Sequence, residues 1–261
     1  MPLAPVWSLI GIADAWLGLR KQALDGFRKA SSLSPHQEEH WLNLTRELME
    51  QGLYADAVSG AQDGLRSLPN SYALHLRLGA AYLAAGHYPE AEATFRELVI
   101  AGDPLPTGYV GLAQVLLRTG RAEEAVTELN AAQRKLGANF LICYFRGLAL
   151  DRAAKPKDAL SAFQEAAQMN PNSAEAHLGL GKTELRLDEM HHAVVELETV
   201  LRLDPSNAQA RRLLSQAYRR LGDSQHARKY AVASPAQPAA LEDDLLGDFL
   251  PPEWQFRAEN E

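Results

Sequence analysis

The chain has a single cysteine, Cys143, among 261 residues, so no disulfide within it can staple the fold. It also lacks any uninterrupted apolar run near the roughly 18 residues that a spanning helix needs. The best stretch, residues 3–19, is broken by Asp14 and has no basic residue before it, which argues against a secretory leader as well. The expected location is cytoplasmic, with the periplasm or a place in a larger exported protein left open. Glycine-rich phosphate loops and G-x-S-x-G elbows are missing, and no two acids have a reason to share a pocket. An enzyme is therefore not expected, and no cofactor is implied. An excess of base is missing too. The net charge is −7, and residues 241–261 hold seven acids against one base, Arg257, leaving the rest of the chain close to neutral. That balance argues against nucleic acid as a partner, and the lack of an apolar span argues against a membrane.

What the sequence does have is a period. Ala23, Ala57, Ala91, Ala125, Ala159, Ala193 and Ala227 recur every 34 residues, in unbroken phase. Twelve residues before each stands another small or short residue: Gly11, Thr45, Gly79, Ala113, Gly147, Gly181 and Ser215. Two such positions suit antiparallel helices that touch closely where they cross, because a larger side chain would push the backbones apart. Gly18, Gly52, Gly86, Gly120 and Gly222 share one place in the period, where a first helix would end on a left-handed residue. Pro35, Pro69, Pro171 and Pro205 share another, after the second helix. The turn SLSPHQ offers Ser34 as a helix cap, Pro35 as the first helical residue and Gln37 as the capping-box partner. Apolar residues between these breakers keep helical spacing, and no strand is evident.

The set Trp7, Ile10, Gly11, Ala23, Phe27, Ala30 and Pro35 resembles the pattern of the tetratricopeptide repeat family. Trp41, Leu44, Ala57 and Pro69 repeat it, as do Leu78, Gly79, Tyr82, Ala91 and Phe95. Later copies keep Gly147, Ala159, Phe163, Ala166 and Pro171, then Leu180, Gly181, Ala193 and Pro205. The resemblance implies an all-α fold, an α-solenoid winding as a right-handed superhelix of about seven helix-turn-helix repeats. The expected frames are 4–37, 38–71, 72–105, 106–139, 140–173, 174–207 and 208–233, then a linker at 234–240 and an acidic tail at 241–261 with a short amphipathic helix. One such hairpin cannot bury its apolar faces alone, so neighbours must stack. The first helix looks uncovered, since Leu3, Val6, Trp7, Leu9, Ile10, Ile12, Trp16 and Leu17 surround it. Missing upstream repeats or a self-contact would cover it. The last repeat, with Arg211, Arg212, Arg219 and Arg220, has a more polar face.

Chemistry-bearing motifs are few. HQEEH at 36–40 follows the H-x-x-E-H order of one zinc-peptidase class, but His36 falls in the Pro35 turn and no third ligand is evident. His191 and His192 are helical neighbours pointing roughly 100° apart, which disfavours shared ligation. No metal site is expected. Cys143 replaces the large aromatic of the repeat and reads as a buried, inert thiol. Arg146 and Glu184 replace apolar residues that face the next repeat, and the spacing predicts that they pair.

The family resemblance further implies a concave groove lined by the second, fifth, ninth, twelfth and thirteenth places of each repeat. The candidate peptide-binding residues are then Arg118, Arg152, Lys182, Arg186, Arg212, Gln216 and Arg219, set against Asp151 and Glu175, with Tyr144, Leu141 and Leu178 as apolar footholds. A partner carrying acids on an apolar frame is implied. The carboxylate clamp of chaperone-binding relatives is absent, because Ser8, Ile12, Leu42, Arg46, Leu76 and Ala80 stand at its places. The asparagine ladder of the sugar-transferring relatives keeps one rung, Asn43. Leu241, Asp243, Asp244, Leu245 and Phe249 in the tail are a candidate pseudo-ligand for the same groove. The sequence thus reads as a non-enzymatic adaptor or scaffold. Two alternatives stay open: a recognition arm of a larger enzyme or secretion and assembly complex, and a module that self-assembles, as a homodimer, through its N-terminal helix.

Overall fold

The computed structural model describes residues 3–102 and 105–231. The linker and tail, with the candidate ligand Leu241, Asp243, Asp244, Leu245 and Phe249, lie outside the described residues. Among these residues the chain is all-α, with fourteen helices and no strand. Two compact units divide at Val115 and Leu116, inside one helix.

The first unit holds α1 (Ala4–Trp16), α2 (Arg20–Leu33), α3 (Glu38–Glu50), α4 (Tyr54–Ser67), α5 (Tyr72–Ala84), α6 (Tyr88–Ala101) and most of α7 (Thr107–Arg118). The second begins at the end of α7 and holds α8 (Ala122–Leu136), α9 (Phe140–Arg152), α10 (Pro156–Met169), α11 (Ala174–Arg186), α12 (Met190–Leu203), α13 (Ala208–Arg220) and α14 (Ser224–Ala231). Within each unit consecutive helices pack on one another, and first helices of adjacent hairpins also touch, as α9 touches α11 and α11 touches α13. Neither a hairpin nor its neighbour has a closed core alone. The buried side chains sit in the seams between them, as expected of a stack.

The 34-residue alanines are at the bottom of those seams. Six of the seven have no exposed surface, and Ala227 keeps 4%. Their partners twelve residues earlier are buried as well, and the contact is backbone-close. A Cβ on Gly11 would come within 3.1 Å of the Ala23 carbonyl, and the Ser215 hydroxyl donates to the Ala227 carbonyl at 2.8 Å.

A second device ends every first helix. The amide of the residue after the left-handed position donates to a carbonyl five residues back in all seven hairpins, for example Leu53 to Leu48 at 2.9 Å and Lys155 to Leu150 at 2.9 Å. Five of these turns use the glycines named above, with φ between 71° and 79°. The other two place Ala154 (φ 56°) and Asp188 (φ 66°) in the left-handed region. A Cβ there costs roughly 1–2 kcal/mol, so the repeat imposes the turn even where the residue opposes it.

Helix starts differ from the sequence expectation. Ser34 is the C-cap of α2, and Pro35 lies in a turn before α3, whose N-cap is Gln37. The same offset places the caps two residues after the prolines: Ser71 accepts from the Leu74 amide, Ser173 from Ala176 and Asn207 from Ala210. The proline therefore shapes the connection between hairpins instead of opening the helix.

Volume alternates along the seams. Phe163 of α10 is 1% exposed and lies between two glycines, Gly147 of α9 and Gly179 of α11. A Cβ on either would stand 2.6 or 2.7 Å from the ring, closer than atoms pack. Phe95 has the same relation to Gly79 and Gly111. The hairpin between these two reverses the sizes, with Leu129 at the ring position and Phe145 at the glycine position, both fully buried.

Candidate functional site

The first helices α9, α11 and α13 of the second unit form the layer on which the candidate groove residues lie. Arg152, Arg186, Arg212, Gln216 and Arg219 are exposed there, as is Arg118 at the end of α7, and Lys182 is half-buried. Arg212, Gln216 and Arg219 follow one face of α13 at helical spacing.

Several of these bases are engaged within the fold, Arg219 with the Ser215 hydroxyl at 3.1 Å among them. Arg186 bonds the Asp151 carboxylate and donates to the Asp151 carbonyl at 3.2 Å, at the C-terminal end of α9. Lys182 stands 4.0 Å from the same carboxylate. One repeat later, Arg220 donates to the Leu185 carbonyl at 2.9 Å and to Asp188 at 2.6 Å. Arg186 and Arg220 thus serve as cations at the end of the preceding first helix, where the helix dipole favours them. Arg220 also fastens the strained Asp188 turn.

The apolar footholds are not at the surface. Tyr144, Leu141 and Leu178 are 1%, 6% and 5% exposed. Tyr144 stacks on Phe140, meets Phe145 edge-on at 5.4 Å and lies beside Phe163, and burial pushes its phenol well above the ordinary range. Packing against these three rings takes it into the seam. The layer a ligand would meet is therefore more polar than the sequence suggested.

Arg146 and Glu184 do not pair. Arg146 bonds Glu165 of α10 at 2.8 Å and the Gln133 side chain of α8. The Cys143 thiol, fully buried, donates to the same Glu165 at 3.4 Å, and burial followed by that bond pushes its pKa up to about 11. Such a thiol is a poor nucleophile. Glu184 faces a separate polar seam between α11 and α12, with His177, Glu189, His192 and Glu196. His177 and Glu196 are 2.5 Å apart. Burial, then the Glu196 charge, raises Glu184 to about 7.

HQEEH does not form a site. His36 is exposed in the turn before α3, and His40 is buried on the helix. The group of acids and histidine with metal-ligand spacing among the described residues is Glu184, Glu189 and His192, which the sequence expectation missed. Its signal was there as E-x4-E-x2-H across a helix end.

Family models described as tetratricopeptide repeat match residues 48–104 and 152–216, and a further one matches 106–131, together more than half of the chain. The chain belongs to the tetratricopeptide repeat family. Proteins of this family generally mediate protein–protein interaction and scaffolding. The tetratricopeptide protein described here is 22% identical over 188 residues to Anaphase-promoting complex subunit 3 of Schizosaccharomyces pombe (strain 972 / ATCC 24843), covering 72% of this chain and 28% of that one. It thus spans under a third of that relative. Its fold is similar to a crystal structure of the APC/C hetero-tetramer Cut9-Hcn1, with a TM-score of 0.65, 19% identity and coverage of 82% of this chain and 43% of that chain. It is also similar to Pseudomonas aeruginosa pilF, with a TM-score of 0.66 and 17% identity over 75% of this chain and 89% of the other. At these identities the likeness concerns the fold. Among the described residues of this tetratricopeptide chain, no helix is long and apolar enough to cross a membrane.

Proposed function

We propose that this chain is a non-enzymatic scaffold whose second unit binds an acidic peptide segment across α9, α11 and α13. The observation that carries this reading is the sign of the charge on that layer. Arg152, Arg186, Arg212 and Arg219 are exposed, whereas the acids are Glu175 and an Asp151 already bracketed by Lys182 and Arg186. Exposed pairs contribute only about 0.2–1 kcal/mol each, so several must act together. The chain's own tail, residues 241–261, fits as a tethered competitor, because a short linker holds it at an effective millimolar concentration.

The test uses a labelled peptide of residues 241–261 and protein lacking residues 234–261. Binding that weakens about tenfold in Arg152→Glu/Arg212→Glu, and weakens further with salt, is the expected result. Binding indifferent to both changes sinks the reading. Weaker binding of the same peptide by the full-length chain is expected if the tail occupies the layer.

A second reading rests on α1. Leu9, Trp16 and Leu17 are 66%, 78% and 72% exposed, and only Ala4, Ser8 and Gly11 of this helix are buried. The places that match Val6 and Leu9 in the next repeats, such as Leu74 and Arg77, are covered. Apolar surface of that kind marks an interaction site, and a second copy of this chain, meeting it α1 against α1, is the occupant this reading commits to. Light scattering is expected to give a dimer that Trp16→Glu converts to monomer. A wild-type monomer at high concentration removes this reading.

A further inference from the structure

Glu184 lies on the last turn of α11, 5% exposed, and its Oε2 has no hydrogen-bond partner. A buried carboxylate oxygen left unsatisfied calls for a water or an ion. The turn that follows brings two more donors to it. The Glu189 amide donates to the Glu184 carbonyl at 2.9 Å, closing the helix over the left-handed Asp188, and this holds Glu189 back over the end of α11. His192, in the first turn of α12, has its Nδ1 3.3 Å from Glu189 Oε2. One ligand atom from each of Glu184, Glu189 and His192 lies within 4.8 Å of the others.

We infer that these three side chains form a binding site for one divalent transition-metal ion of the zinc class. Bonds of about 2.0–2.2 Å would draw the donors to roughly 3.3 Å apart. The two exposed side chains, Glu189 and His192, can make that movement, and they also open the site to solvent. Glu184 is the fixed inner ligand. Glu196, paired with His177, adds a further negative charge near Glu184 and favours a cation. An imidazole with two carboxylates suits zinc or manganese better than magnesium, which prefers an all-oxygen octahedron and keeps its waters. The bound ion would fasten the end of α11 to the start of α12 across the one turn in which an aspartate takes the left-handed place.

Calorimetric titration of the full-length, chelator-treated protein with zinc chloride tests this. The expected result is one site per chain, a raised melting temperature, and no heat with magnesium chloride. Glu189→Gln/His192→Ala, both on the surface, is expected to weaken zinc about tenfold or more. His191→Ala, on the neighbouring position, is expected to leave it unchanged. The buried isostere Glu184→Gln gives an independent loss should the double variant fold poorly. Zinc binding that survives both variants, or no zinc binding by the parent, overturns the assignment.

Discussion

Replacing Phe163 with alanine is expected to destabilise the second unit by about 3–5 kcal/mol, the usual cost of deleting a buried ring. The ring has no exposed edge to compensate, and the two glycines beside it carry no side chains that could collapse into the space. Circular dichroism should show the melting temperature falling by roughly 10 °C. The opposite insult, Gly179→Val, drives a side chain into the ring and should cost about 1–3 kcal/mol or more. The decisive measurement is the double variant. If Phe163 and Gly179 share one volume, Phe163→Ala/Gly179→Val loses markedly less than the two single losses together, a coupling expected only of touching residues. Additive losses would show that the seam is not built on that complementarity.

Removing the Glu184 charge is expected to stabilise the metal-free protein by an amount that grows as pH rises from 4.5 to 7 and levels off above that. The carboxyl is raised from 4.5 to about 7, so the fold favours its protonated form. Stability from this group is complete below pH 4.5 and is lost as pH rises through 7. The loss approaches about 3 kcal/mol once the group is ionised in both states. Glu184→Gln keeps the shape and cannot ionise. In chelator, its denaturation midpoint should exceed the parent's at pH 8.5 and match it near pH 4.5. Glu189, His192 and Glu196 interact with the Glu184 charge and His177 pairs with Glu196, so the difference between the two proteins reads that charge together with its coupling to these neighbours. An advantage equal at both pH values would point to packing and not to charge.

The framework of this fold was legible because it rests on small residues and turns. Ala23 and its six repeats, the partners twelve residues earlier, and the left-handed glycines depend on local sterics, which a sequence displays directly. The same turn at Ala154 and Asp188 was not read, because neither residue type signals a left-handed conformation. Polar pairing was less readable. Arg146 and Glu184 share a face by spacing, yet a long guanidinium took Glu165 of its own hairpin, because that carboxylate lies within reach before the next hairpin is met. The layout of the first-helix layer was read in part. Spacing placed Arg186 on the first-helix layer, but it did not show that Asp151 and its carbonyl already hold the side chain. Tyr144 was missed for a related reason: spacing gave its place on α9 but not the rings of Phe140, Phe145 and Phe163 around it. Glu184, Glu189 and His192 come together only through the path of the turn, which no helical wheel represents.

The alternation of ring and glycine has a bearing on how such a chain can lengthen. Phe95 with Gly111 and Phe163 with Gly179 recur after two repeats and not after one. Loss of residues 106–139 alone would oppose Phe95 to Phe145, whereas loss of 106–173 would oppose it to Gly179. Gain or loss in pairs would preserve the fit at these two rings, so the interval over which they can be exchanged is two hairpins, twice the one that the alanines announce.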